Sequence, residues 1–355
     1  MNKHISIIYF RVNNFIKSIL CFLFSLLKYI FYFFYIKIYI FSKRINTDKY
    51  ILFAHGSVSD TVYMASLLDE FNSKFGETYI IASIEYIDIF RVYTNKKNLN
   101  FLFETEEKCR KLRYAITISG SYRSRGLFPG IIRPLHGVMY PNLNELTLSN
   151  RLSYRDMITC IMGLDKNVPY NYITNYSKDD YDKAIELLST TGYNISKIAL
   201  INPICYTHKN ISIKAWEGVA EAISSKGFYP IFNLKSKIDD NNSHLSPKNY
   251  QKINIPAYLV PLCSEIVGIG CARLGGGFDL LQSYCNKSNN NILILLSDKV
   301  PLLHNEKNDL SPDIVEEYIL NFSGRFKTYV ALLDNENSKD EAYNKTILAL
   351  TNNLQ

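Results

Sequence analysis

Asp60 is a carboxylate placed where a strand is predicted to turn into a helix. The stretch ILFAHGSVSDTVYMASLLDEF (51–71) begins with an apolar run, continues with small polar residues and ends with apolar residues at helical spacing. That order predicts a strand, a loop and a helix. A carboxylate at such a turn can accept a proton from a hydroxyl group, or it can cap the helix that follows. The two roles of Asp60 are compatible.

A glycine-rich stretch, CARLGGGFDLLQ (271–282), is the most specific motif of the second half. Its three consecutive glycines, Gly275, Gly276 and Gly277, are predicted to join a strand to a helix. Backbone amides there can approach an anion such as a diphosphate, and the helix N-terminus adds a favourable dipole. The spacing is that of neither a dinucleotide-binding fingerprint nor a P-loop, and a simple connecting turn is the alternative.

Basic side chains near predicted strand ends could hold phosphate or carboxylate groups. Lys209 and Lys214 belong to NPICYTHKNISIKAW (202–216) and could reach a diphosphate. Arg123 and Arg125 belong to SGSYRSRGLFPG (119–130), which follows the predicted strand YAITISGS, and could hold an acceptor. Each of these side chains could instead be an ordinary solvated surface residue.

Asp180 and Asp182 form an Asp-x-Asp pair that could chelate a divalent metal together with a sugar nucleotide. They lie in the first turn of a predicted helix, where carboxylates counter the helix dipole. We therefore expect capping and no metal site. The seven cysteines lack any paired or zinc-like spacing, which indicates a reducing compartment.

From Lys49 onward, apolar strands alternate with amphipathic helices, which predicts a parallel α/β architecture. Two successive doubly wound halves are expected, with a linker near 170–176 and a cleft between them. The predicted domains are residues 48–172 and residues 173–330. A C-terminal helix within 331–355 is expected to pack back on the first domain.

Residues 1–47 form a hydrophobic, basic segment. Seven basic residues and no acidic one precede Asp48, which accounts for the formal charge of +7 and leaves 33 basic against 33 acidic residues. The balanced remainder argues against an extended nucleic-acid surface. The apolar run 15–41 is long enough to span a bilayer, but Lys17, Lys28 and Lys37 interrupt it. We expect a membrane-associated helix, either in the interfacial plane or spanning; a soluble core helix is the remaining alternative.

Taken in order, these motifs resemble those of the bacterial heptosyltransferase-like glycosyltransferases of the GT-B fold. HGSVSDTVYMASLLDEF (55–71) resembles their first loop and helix, SGSYRSRGLF (119–128) their Arg-Ser loop, and RDMITCIMGLD (155–165) their helix before the linker. INPICYTHKNISIKAWEGVAEAISSKGFYPIF (201–232) resembles their phosphate-lysine strand and the following Lys-x-Trp helix. The nucleotide loop departs from the family pattern because it lacks a histidine, and it is closer to an R-x-G-type variant.

The resemblance implies two Rossmann-like domains facing a cleft, preceded by the membrane-associated helix. It implies an inverting, metal-independent transferase with a nucleotide-diphosphate sugar as donor substrate and no cofactor. Asp60 would be the catalytic base, and Ser59, Arg123 and Arg125 would bind the acceptor. The implied donor-binding residues are Lys209, Lys214, Arg273, Gly275, Gly276, Gly277 and Asp279.

The implied acceptor is a lipid-linked or surface glycan, as in lipopolysaccharide, O-antigen or capsule biosynthesis. The expected location is the cytoplasmic face of the bacterial inner membrane, with an anionic membrane surface as partner and no nucleic acid. Two other functions stay open from the sequence. One is a nucleotide-sugar epimerase of the same fold, and the other is a non-catalytic, membrane-tethered protein that binds sugar nucleotides.

Overall fold

The computed structural model describes residues 2–46, 49–54, 58–94, 99–121, 131–132, 159, 162–165, 168, 175–203, 211–234, 247–273, 291–297, 327–333, 335 and 337–351. Only the backbone is described for residues 2–15, 59–60, 117–121, 131–132, 291–297 and 327–332. The chain forms two compact units. The first comprises Met1–His55, Phe75–Ile84 and Asn98–Tyr140, and the second comprises Gly56–Lys74, Glu85–Lys97 and Pro141–Gln355.

Within the described residues, helices and strands alternate from α1 to β6, as the sequence predicts. The helices are α1 (Asn2–Ser42), α2 (Val58–Phe75), α3 (Ile87–Tyr93), α4 (Glu106–Ser121), α5 (Lys178–Ser189), α6 (Ile213–Ser225), α7 (Val260–Ile266) and α8 (Lys339–Thr351). The strands are β1 (Tyr50–Ala54), β2 (Thr78–Ser83), β3 (Leu99–Glu104), β4 (Ile131–Ile132), β5 (Ile198–Asn202), β6 (Tyr229–Asn233), β7 (Gln251–Ile253), β8 (Ile269–Arg273), β9 (Asn291–Ser297) and β10 (Lys327–Leu333).

The sheet of the first unit has the order β3-β2-β1-β4, and all of its neighbouring strands are parallel. Strand β1 is almost entirely buried, which explains its continuous apolar sequence. The strand predicted at the start of 51–71 is confirmed as β1, and β2 agrees with the α/β pattern predicted from Lys49 onward. Strand β3 was not predicted from the sequence.

One predicted strand of this unit is wrong, because YAITISGS (114–121) is the second half of helix α4. The buried residues Cys109, Leu112, Ala115 and Ile116 recur at helical spacing and face the core. Salt bridges four residues apart, Lys108 to Glu104 and Lys111 to Glu107, support the start of the helix. The stretch that carries Arg123 and Arg125 therefore follows a helix and not a strand.

The sheet of the second unit has the order β10-β9-β8-β5-β6-β7, again with every neighbouring pair parallel. The order reverses between β5 and β8, because β6 and β7 lie on one side of β5 and β8, β9 and β10 lie on the other. This is the doubly wound Rossmann arrangement, in which ligands bind at the carboxyl ends of the strands where the order reverses. The apolar stretches at β5, β6, β8 and β9 are strands, in agreement with the α/β pattern predicted from Lys49 onward.

Helix α6 forms much of the second core. Trp216 is fully buried and meets Phe232 edge to face at 6.3 Å between ring centroids. The helix ends before Gly227, whose φ of +80° lies in the left-handed region that favours glycine.

The C-terminal helix α8 packs on α6 in the same unit, through Ala342 and Leu350. The expectation that this helix packs back on the first domain stays a prediction. A Cβ atom on Gly218 of α6 would clash with the backbone carbonyl oxygen of Lys339, so the close contact requires a glycine.

Helix α1 has two different parts. The segment Ile16–Ser42 has a mean hydropathy of 2.0 and is long and apolar enough to cross a membrane. Its final turns nevertheless belong to the first core, because Ile36, Tyr39 and Ile40 are buried against the sheet and α4. This end of the segment is therefore an integral part of the first unit, and the predicted boundary at residue 47 stays a prediction.

Candidate functional site

The first candidate site lies where β1 leads into α2. Strand β1 ends at Ala54 and α2 begins at Val58, so Ser59 and Asp60 are the second and third residues of the helix. Asp60 is therefore not the N-cap that the sequence offered as its alternative role. A carboxylate in the first turn still interacts favourably with the helix dipole. Strand β1 lies between β2 and β4, which is where the order of the first sheet reverses.

The second candidate site lies at the carboxyl edge of the second sheet. Asn202 and Arg273 are the last residues of β5 and β8, the two strands at which the order reverses. Asn202 is opposite Ala272 in the parallel register, so Arg273 follows directly beyond it. Both side chains are buried, with 6% of Asn202 and 1% of Arg273 exposed. Buried polar groups at this edge, where two otherwise apolar strands end, mark a place for a polar ligand.

The amide groups of two asparagines are linked at this edge. Asn233, the last residue of β6, donates from Nδ2 to Oδ1 of Asn202 at 2.7 Å. The backbone nitrogen of Ile255 donates to Oδ1 of Asn233 at 2.9 Å. Nδ2 of Asn202 is buried and donates no hydrogen bond within the part of the chain that the structure describes. A donor held in place in this way is suited to an oxygen atom of a bound ligand.

Sequence reasoning missed Asn202 and Asn233. The signal was present, because the apolar strands IALIN and YPIFN both end in asparagine. Two polar residues at the ends of neighbouring parallel strands lie at one edge of the sheet. It was the pairing of β5 with β6, unknown from the sequence, that brought them together.

Lys214 is the second residue of α6 and is exposed to solvent. The N-cap of this helix is Ser212, whose Oγ accepts a hydrogen bond from the backbone nitrogen of Ala215 at 3.3 Å. The first turn contains no acidic residue. A lysine beside a helix N-terminus adds its charge to the positive end of the dipole, an arrangement that suits an anion. The other predicted site residues lie outside the described residues, namely Lys209, Gly275, Gly276, Gly277, Asp279, Arg123 and Arg125.

Asp180 has a structural role, as the sequence predicted. Its carboxylate accepts hydrogen bonds from the backbone and hydroxyl of Ser177, which forms a capping box with it. The guanidinium of Arg91 donates two further hydrogen bonds to it, at 2.8 and 2.9 Å. This arginine lowers the pKa of Asp180 to about 2, and Ser177 adds to the effect against the opposing influence of burial. With its oxygens occupied in this way, Asp180 is not placed as a metal ligand.

Within the described ranges, no group of three or more histidine, cysteine or acidic side chains is arranged to hold a metal ion. Metal independence stays a prediction.

The sequence matches no protein-family model and no curated protein. The fold, however, matches solved structures. One is ADP-heptose lipopolysaccharide heptosyltransferase II of E. coli, with a TM-score of 0.52, 12% identity, and coverage of 86% of this chain and 100% of that one. Another is a family 9 glycosyl transferase of Veillonella parvula, with a TM-score of 0.53, 10% identity, and coverage of 86% and 97%.

At this level of identity the likeness establishes the fold. The chain has the α/β architecture of the GT-B glycosyltransferases, with parallel sheets and an apolar N-terminal helix. The fold class predicted from the sequence is confirmed, and so is the resemblance to heptosyltransferase-like proteins at the level of fold. The variant nucleotide loop lies outside the described residues.

Proposed function

We propose that this protein is a glycosyltransferase that moves a hexosyl or heptosyl group from a nucleotide-diphosphate donor to a lipid-linked or surface-glycan acceptor. The observation that carries the proposal is the buried pair Asn202 and Arg273 at the reversal point of the second sheet. A guanidinium and an amide donor at that edge suit the phosphate groups of a nucleotide. The fold shared with a heptosyltransferase supports the same reaction class.

The proposed reaction is a single displacement. Asp60 accepts the proton of the acceptor hydroxyl as its oxygen bonds to the anomeric carbon of the sugar. The bond from that carbon to the diphosphate oxygen breaks, and the nucleoside diphosphate leaves with the electron pair. Attack from the face opposite the leaving group inverts the configuration at the anomeric carbon.

The developing charge on the diphosphate needs positive partners. Arg273, Lys214 and the Asn202 amide are proposed to supply them without a metal ion, in company with Lys209 and the glycines at 275–277. Asp279 is proposed to hold the nucleotide ribose or the start of the following helix. Ser59, Arg123 and Arg125 are proposed to bind the acceptor.

The proposed location is the cytoplasmic face of the bacterial inner membrane, and the proposed role is in lipopolysaccharide, O-antigen or capsule biosynthesis. Two features support it. Helix α1 exposes a large apolar surface, and the segment before Asp48 contains seven basic residues and no acidic one. Such a segment is attracted to anionic lipid.

A panel of nucleotide sugars, incubated with and without lipid-linked acceptors, tests this function. We expect transfer that requires an acceptor and persists in EDTA. Conversion of the donor to an epimer without any acceptor would contradict transfer. Donor binding without turnover under every condition would indicate a binding protein, and activity lost to EDTA and restored by Mg²⁺ or Mn²⁺ would overturn metal independence.

Asn202→Asp tests the donor site directly. The new carboxylate would repel the diphosphate and remove a hydrogen-bond donor, so donor affinity should fall by roughly tenfold or more. Asn194→Asp is the matched control, because Asn194 caps a short helical turn and aspartate caps equally well. Equal donor affinities in the two variants, measured by calorimetry, would remove Asn202 from the site.

A further inference from the structure

One face of α1 carries a continuous apolar stripe. Its side chains are spaced alternately three and four residues apart and are between 57% and 86% exposed: Phe24, Leu27, Phe31, Phe34, Ile38 and Phe41. At about 1.5 Å per residue the stripe is about 25 Å long. Exposed apolar surface of this extent and regularity marks a site of contact with another apolar phase or molecule.

The opposite face of α1 is held by the first unit. Ile36, Tyr39 and Ile40 are buried against the core, and Tyr32 meets Tyr114 of α4 edge to face at 5.1 Å between ring centroids. With a turn of about 100° per residue, these buried positions lie on the side of the helix away from the stripe. The stripe therefore points outward from the first unit.

A buried carboxylate strengthens this attachment. Glu104, the last residue of β3, accepts hydrogen bonds from the hydroxyl of Tyr39 at 3.1 Å and from Nζ of Lys43 at 2.6 Å. Lys108 of α4 pairs with its other oxygen at 3.1 Å. Burial alone would raise the pKa of Glu104, but its three hydrogen-bonding partners together lower the pKa below its usual value. The charged cluster thus joins the end of α1 to both β3 and α4.

This attachment limits how α1 can meet a bilayer. The part of the apolar segment that is exposed on nearly all sides, 16–30, is only about 22 Å long. The hydrocarbon core of a bilayer is about 30 Å thick. To span it, the helix would have to withdraw its last turns from the core of the first unit, or place Arg11, Asn13 and Lys17 of its preceding turns in the hydrocarbon.

The basic residues indicate which partner covers the stripe. Lys28 and Lys37 lie about a quarter turn to either side of it, with their ammonium groups 5.8 Å from the ring centroids of Phe24 and Phe33. Lysines at that angle can place their charges at lipid headgroups while the stripe enters the acyl region. A second copy of α1 would bring like charges together, because the helix contains no acidic residue.

We propose that α1 lies in the plane of an anionic lipid surface, with the stripe in the outer acyl region and Lys28 and Lys37 at the headgroups, and that it does not cross the bilayer. The proposal rests on the membrane association included in the proposed function. It does not require sugar transfer, so vesicle binding and transfer activity can fail independently.

Tryptophan fluorescence provides the test. The native Trp216 is fully buried in the second unit and gives a constant background. Leu27→Trp and Phe41→Trp place a probe on the stripe. Ser25→Trp is the matched control, because Ser25 is exposed and lies on nearly the opposite side of the helix from Leu27. The full-length variants are mixed with vesicles of equal parts phosphatidylglycerol and phosphatidylcholine whose acyl chains carry bromine at a known depth.

We expect lipid to quench the probes at 27 and 41 at the same shallow depth, and to leave the probe at 25 unquenched. Replacing Lys28 and Lys37 by Gln should weaken vesicle binding by about fivefold for each lysine. Circular dichroism confirms that each variant is folded, and Phe31→Trp replaces any stripe variant that is not.

Two results would overturn the proposal. Equal quenching at 25 and 27, with a much deeper probe at 27 than at 41, would show a spanning helix. Absence of quenching together with a concentration-dependent dimer that the stripe substitutions abolish would assign the stripe to a second copy. Sugar transfer that persists in either case would leave the proposed reaction intact.

Discussion

Shortening the chain at two points within α1 should give opposite outcomes. A chain that begins at Phe31 loses only the part of α1 that the first unit does not hold. A chain that begins at Ile45 also loses Ile36, Tyr39 and Ile40, which are at most 6% exposed. We therefore expect the first truncation to fold and the second to unfold or aggregate. From sequence patterning alone the second truncation would be harmless, because the first strand begins at Tyr50.

The expected loss follows from the buried side chains. Burying one large apolar side chain contributes about 1.5–3 kcal/mol, so three of them contribute roughly 5–9 kcal/mol. A typical domain is stable by only about 5–15 kcal/mol. The second truncation also removes the hydrogen bonds that Tyr39 and Lys43 donate to Glu104. Both effects act in the same direction.

Thermal unfolding followed by circular dichroism measures the difference. The chain beginning at Phe31 should keep the melting temperature of the full-length protein, and the chain beginning at Ile45 should melt about 10 °C lower or more, or fail to fold. Equal melting temperatures for the two truncations would refute the assignment of these turns to the first core. Unfolding of both would place the exposed part of α1 in the core as well.

Three substitutions test other parts of the structure. Asp60→Asn should lower turnover by roughly a hundredfold or more, since an amide cannot accept the proton of the acceptor hydroxyl. The free energy of unfolding should change by less than about 1 kcal/mol. Asp69→Asn, later in the same helix, is the control. The pKa of Asp180 is lowered to about 2, so its carboxylate stabilises the fold above the unfolded pKa near 3.8, and this contribution is lost as pH falls toward 2. The difference in unfolding free energy between wild type and Asp180→Asn should therefore narrow by about 2 kcal/mol between pH 5 and pH 2. A difference that stays constant would contradict the pairing of Asp180 with Arg91. Gly218→Ala should lower the melting temperature, because the new Cβ atom would clash with the backbone of Lys339. This loss should outweigh the helix preference of alanine over glycine, which is about 1 kcal/mol. A higher melting temperature would show that α6 and α8 can separate freely.

The local elements were largely predictable from the sequence because their signals are local. The apolar run of β1, the capping serine of α5 and the glycine after α6 each lie within a few residues of the feature they specify. Where local signals conflict, prediction fails. The residues 114–121 are rich in β-branched and aromatic side chains, yet they continue α4 because the buried positions of that helix face α1 and the sheet.

The candidate donor site could be predicted only in part. Arg273 adjoins the glycine motif and was identified with it, but Asn202 and Asn233 carry no motif of their own. Their importance comes from the strand order, which places β5 between β6 and β8 and so brings three strand ends to one edge. Strand order depends on contacts between distant segments, and a single sequence does not record them.

The sequence by itself determined the parallel α/β class, the approximate limits of most helices and strands, and the basic, apolar character of the N-terminal segment. These features follow from composition and from the spacing of apolar residues, which repeats every two residues in strands and every three to four in helices. Both can be read within a short stretch of chain. Only the tertiary structure decided which side of α1 is covered, that α8 packs on α6, and that Asn202 and Arg273 end adjacent strands. Each of these depends on which apolar surfaces meet, and many distant surfaces are apolar enough to serve as partners. The packed fold selects among them by shape, as the single glycine at the crossing of α6 and α8 illustrates.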